Sequence, residues 1–113
     1  MQAQTAEGDD PLSEIRRLQL ELHRWADQQF GNDRPPHGAI AHLAKEVQEL
    51  AEHPHDWMEY VDCLTLLLDA ASNAHINIDA LLEVAWDKLD ENRHREWGEP
   101  DADGVVEHVR SAK

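Results

Sequence analysis

Glu46 and Glu49 form one pair of acids at i, i+3 spacing, and Glu59 and Asp62 form a second pair after the short linking run HPHD. On helices each pair shares a face, and two antiparallel helices joined so briefly can turn all four carboxylates into one cleft. Like charges that close raise one another's pKa, so the arrangement requires protons, basic partners or a hard divalent cation. Donors that are all oxygen suit Mg²⁺ or Mn²⁺. The second pair lies in EYVDCLTLLLD, an oily stretch in which Glu59, Asp62 and Asp69 fall within about 80° of one another around a helix axis. Charge taken out of water is costly unless it is paired or binds metal. Simpler roles exist for each acid. Glu46 and Glu49 fit a solvated helix face, Glu59 fits the N3 place of a capping box headed by Asp56, and Asp69 fits a cap or a lysine partner.

A second stripe has the opposite character. Lys88, Asn92 and Arg95 lie within about 60° of one another on a later helix, a cation, an amide and a guanidinium in line, which suits the oxygens of a polyphosphate. The eight histidines raise the question of zinc or iron. Glu91-x-x-His94 matches half of a helix-bundle di-iron motif, but the only other candidate, Glu52-x-x-His55, is broken by Pro54, so that chemistry is not expected.

The elements that must carry these residues are helical. Asp10-Pro11 reads as a cap and first position, and Ile15, Leu18, Leu22 and Trp25 recur with helical period over 11–30, ended by Gly31. The GNDRPPHG segment is a loop. Ile40, Leu43, Val47 and Leu50 mark a helix over 39–53. Asp56 caps a third over 57–73, apolar on most sides and therefore central, with Trp57, Val61, Leu64, Leu68 and Ala71 on its core stripe. Asn77 or Asp79 caps a fourth over 79–96, stopped by Gly98 and Pro100. An all-α protein with one four-helix domain over 11–97 is expected, with a flexible N-terminus at 1–10 and an arm or helical turn at 98–113.

Composition narrows the partners. With 24 acids against 10 basic residues and a formal net charge of −14, binding of a nucleic-acid backbone by bulk electrostatics is not expected. No apolar run approaches the length of a membrane span or of a signal-peptide core. The lone Cys63 reads as a small core residue in a reducing compartment, and a soluble cytoplasmic protein is expected.

The ordered segments RWADQQFG, HLAKEVQELAE, WMEYVDCLTLLLDAA, KLDENRHREW and VVEHVR resemble the all-α nucleoside triphosphate pyrophosphohydrolases of the MazG type, in particular the phage-associated dATP/dGTP diphosphohydrolases that include MazZ-type enzymes. The likeness spans roughly 20–110. Lys45 stands where the broader MazG pattern begins a paired acid, and the link between the acid pairs is short; both features suit the dATP/dGTP subfamily.

The resemblance implies that Glu46, Glu49, Glu59 and Asp62 hold Mg²⁺ or Mn²⁺, more than one ion, on a purine deoxynucleoside triphosphate. Cleavage between the α- and β-phosphates would yield dGMP or dAMP and pyrophosphate, with Glu46 or Glu49 orienting the attacking water. It assigns Lys88, Asn92, Arg95 and Asp69 to phosphate or sugar contacts. It also implies a homodimer or homotetramer, active in the host cytoplasm in phage purine-pool remodelling. A base pocket needs an aromatic or apolar wall, which Trp25, Phe30 and the loop Asn32 to His37 could supply; Trp25 fits a plain core position equally well. The alternative from another class is a non-catalytic acidic helical module that binds a basic protein.

Overall fold

The computed structural model describes residues 11–109, so Asp10, with the rest of 1–10, and residues 110–113 lie outside it. The chain is all-α, as expected: α1 Pro11–Phe30, α2 His37–Glu52, α3 Trp57–Asn73 and α4 Ile78–Arg93. Local chemistry sets these ends. Gly31 takes a φ of 97° and donates its N–H to the Asp27 carbonyl at 2.9 Å, which closes α1 in the left-handed region that glycine tolerates. Asp56 Oδ1 accepts from the Met58 amide at 2.9 Å, and Asn77 Oδ1 accepts from the Ala80 amide at 2.9 Å, so Asn77 rather than Asp79 heads α4.

Two boundaries differ from the sequence reading. The Ile40 amide reaches back to the Pro36 carbonyl at 3.1 Å, which draws His37 and Gly38 into the first turn of α2. At the far end of α4 the amides of His94 and Arg95 bond three residues back, to Glu91 and Asn92, so the α-helix tightens and stops at Arg93 rather than running to 96.

The chain divides into two compact units between Leu81 and Leu82. In the first, α3 packs against both α2 and α1, the central place its apolar character predicts. The buried apolar side chains among the described residues are Ala26, Leu68, Ala70, Ala71 and Ile78. Gln19 is buried with them. Its Nε2 donates to the Ile76 carbonyl at 3.1 Å and its Oε1 accepts from the Ile78 amide at 2.8 Å. Much of the expected core stripe is not buried: Leu18, Trp25, Ile40, Val47, Val61 and Leu64 are exposed, and Trp57 is 86% exposed. Periodicity identifies an apolar face, but not whether the same chain covers it. In the second unit the C-terminal segment folds back as an arm rather than a helical turn, with an antiparallel bridge between Trp97 and His108 and a 2.9 Å bond from the Gly98 amide to the Glu107 carbonyl.

Candidate active site

The connection between α2 and α3 is braced by the Tyr60 hydroxyl, which donates to the Pro54 carbonyl at 2.9 Å. It folds α3 back along α2 and brings Glu46, Glu59 and Asp62 together. Oxygens of these three half-buried carboxylates lie within 4.8 Å of one another. Glu59 does not close a capping box, because the Asp56 amide instead donates to the His53 carbonyl at 3.1 Å. Its carboxyl is held above the usual range by desolvation first, then by the negative charges of Asp56, Glu49, Asp62 and Glu46. Each neighbouring charge that raises the Glu59 pKa is an acid. Hard oxygen donors gathered from two helices fit a Mg²⁺- or Mn²⁺-class cation.

Glu49 sits differently from its predicted companions. It is exposed and groups with Glu52 and His53 at the C-terminal end of α2, and its charge adds to those that raise the Glu59 pKa. Cys63 is half-buried, and desolvation followed by the charges of Glu46, Asp62 and Glu59 pushes its thiol pKa up.

A cleft of about 360 Å³ is lined by Glu46, Asp62, Thr65 and Leu66 together with Trp25 and Phe30. The two rings meet edge to face, with centroids 5.6 Å apart and planes at 88°. Trp25 is therefore a cleft wall rather than a core residue. A second hollow, of about 390 Å³, shares Phe30, His42, Leu66 and Asp69 with the first and continues to Pro35 and His37. Asp69 pairs with Arg34 at 3.2 Å, neither capping a helix nor meeting a lysine. Sequence reasoning did not single out His42 or Thr65 for the site. His42 had a signal, since it stands four residues before Glu46, and its Nε2 lies 3.6 Å from Glu46 Oε2.

Lys88, Asn92 and Arg95 belong to the second unit, where they form a network of their own. Arg95 Nη1 donates to Asn92 Oδ1 at 3.3 Å, while Glu91 Oε1 receives Arg95 Nη2 at 3.0 Å and Lys88 Nζ at 3.3 Å. The hydrogen bond from Lys88 and the charge of Arg95 hold the Glu91 carboxyl below its usual range. His94 turns its Nδ1 to the Asp90 carbonyl at 2.8 Å, while the Glu91 carboxylate is taken up by Arg95 and Lys88.

The sequence profile of a family described as dATP/dGTP pyrophosphohydrolase matches residues 18–113. The chain belongs to this family. Among its relatives, the dATP/dGTP diphosphohydrolase of cyanophage S-2L is 33% identical over 97 residues, covering 84% of this chain and 88% of that protein. The Eaa protein of Salmonella phage P22 is 37% identical over 90 residues, which are 80% of this chain and 28% of that protein. A solved structure, a cyanophage S-2L MazG-like pyrophosphohydrolase bound to dGDP and three catalytic Mn²⁺ ions per active site, superimposes with a TM-score of 0.70. It is 32% identical, and the match covers 87% of this chain and 95% of that one.

Proposed function

We propose that the chain hydrolyses dGTP and dATP between the α- and β-phosphates, releasing pyrophosphate and dGMP or dAMP, with Mg²⁺ or Mn²⁺ and more than one ion. The observation that carries this is the Glu46, Glu59 and Asp62 trio, two of whose members, Glu46 and Asp62, line one cleft together with Trp25 and Phe30. The polyphosphate belongs at the acid end and the purine at the aromatic end. When bound, divalent cations neutralise the phosphate oxygens and acidify water at the site. Glu46, Glu59 and Asp62 hold them, with Glu49 at the rim. Glu46 or Glu49 orients the water whose oxygen adds to the α-phosphorus as the bridging P–O bond to the β-phosphate breaks. Asp69 supports the sugar end, and the phosphate or sugar contacts of Lys88, Asn92 and Arg95 rest on the family resemblance alone. The relatives from phages support a role in remodelling the purine deoxynucleotide pool in the host cytoplasm. No helix among the described residues is long and apolar enough to cross a membrane.

Product analysis on the four common dNTPs and GTP with Mn²⁺ tests the reading. Pyrophosphate with dGMP or dAMP is expected, and Asp62→Asn should abolish it while keeping the helical circular dichroism. Orthophosphate as the product, or full turnover by Asp62→Asn, would sink the assignment. No turnover of any nucleotide by metal-loaded protein would favour an acidic binding module instead.

A further inference from the structure

The connection between α1 and α2 contains a single arginine, and it is held from several directions. Arg34 Nε donates to the Gly31 carbonyl at 2.9 Å, Nη1 to Asp69 Oδ2 at 3.2 Å, and Nη2 to Asp27 Oδ1 at 3.2 Å and Asp69 Oδ1 at 3.4 Å. Its guanidinium carbon stands 5.9 Å from the centroid of the Phe30 ring. The side chain is only 18% exposed. Hydrogen bonding to Asp69, partly opposed by desolvation, raises its pKa further, so it is a permanent cation. One planar fork thereby ties the end of α1, the middle of α3 and the loop between α1 and α2 to one another.

Phe30 needs that tie. It is the last residue of α1, it is 63% exposed, and the left-handed turn at Gly31 follows at once. Its ring meets Trp25 at one edge and Arg34 on one face. Both oxygens of Asp69 turn to the guanidinium, although Asp69 also lines the cleft. We propose that Arg34 is a positioning residue for the nucleoside end of the cleft: clamped between Asp27 and Asp69, it fixes Phe30 and the Pro35–His37 rim as the wall against which the purine deoxynucleoside packs. The inference rests on the function proposed above and adds a determinant of substrate binding remote from the acid trio.

The test compares wild type, Arg34→Ala and Arg34→Lys, the lysine keeping the charge but not the fork. For dGTP hydrolysis with Mn²⁺, KM should rise about tenfold or more in Arg34→Ala while kcat stays within about threefold, because the lost interaction orders the nucleoside rather than the reacting phosphate. Arg34→Lys should recover only part of the KM. Amide hydrogen exchange of residues 31–37, followed without nucleotide, should quicken in Arg34→Ala and less so in Arg34→Lys. An unchanged KM in Arg34→Ala, a fall in kcat with KM unaltered, or full rescue by lysine would overturn the positioning role. Unchanged exchange in both variants would overturn the clamp itself, whatever the substrate. Wild-type protein that hydrolyses no purine deoxynucleoside triphosphate would overturn the parent reading and the wall's role with it, and quickened exchange would distinguish that outcome from failure of the clamp.

Discussion

Glu59 shows at the level of one side chain how a site can oppose the fold that carries it. Desolvation and neighbouring acids raise its folded pKa above the unfolded value, so its contribution to stability is full below the ordinary carboxylate range and is lost as pH rises through the raised pKa. In chelator-treated protein, Glu59→Gln should therefore melt higher than wild type at pH 7, and the difference should vanish at acid pH, where Glu59 is protonated in both folded and unfolded chains. Added Mn²⁺ should reverse the order at pH 7, since only the intact trio gains from binding by mass action. Thermal melts at two pH values, with and without metal, check both signs. The trio itself was legible in the sequence, because Glu46, Glu59 and Asp62 sit at regular helical spacings on either side of a short link. The grouping of Glu49 with Glu52 and His53 was not, since a shared helix face does not fix how far along it a partner helix reaches. Arg34 was less legible still: the loop Asn32 to His37 was expected to furnish pocket groups, but nothing periodic says which side chain of a loop turns inward.

At the level of elements, the helices follow from the apolar period and their ends from a few side chains, which is why most boundaries could be read within two or three residues. The end of α3 shows what such reading misses. His75 occupies a left-handed φ of 63°, and the Ile76 amide bonds to the Ala71 carbonyl at 2.8 Å, the geometry that usually brings glycine to this place. Nothing in the sequence AHIN announces it. His75→Gly should relieve the steric cost of that conformation and stabilise the protein by about 1 kcal/mol, less the added freedom of the unfolded chain. Chemical denaturation would measure it, and a lower midpoint in the variant would contradict the account. The core was legible in the same partial way. Leu68 and Ala71 fall where the α3 stripe placed them, whereas Trp57, Val61 and Leu64 on that stripe are exposed.

Over the whole molecule, exposed apolar area and charge pull in opposite directions. Trp57, Trp86 and Val84 are among many large apolar side chains left open, while few are buried among the described residues. Exposed apolar surface of this kind is what association between copies would cover, as in the homodimer or homotetramer that the family resemblance implies. With a formal net charge of −14 on each chain, copies repel at long range, so assembly should tighten as salt is added and screens that repulsion. Sedimentation at micromolar concentration and two ionic strengths should give a multiple of the single-chain mass, more complete at the higher salt; the single-chain mass at both would remove the oligomer from the picture. Gln19 has a quieter consequence. Its side-chain amide bonds Ile76 and Ile78 as a backbone peptide would, one donor and one acceptor, in a buried place. Sliding α1 by a turn would break both bonds and strand the amide away from water, so the helix has one docking address. Trp25 stands six residues farther on, about 9 Å along the axis. A glutamine far from the acids thus acts as a ruler that sets where the aromatic end of the cleft begins.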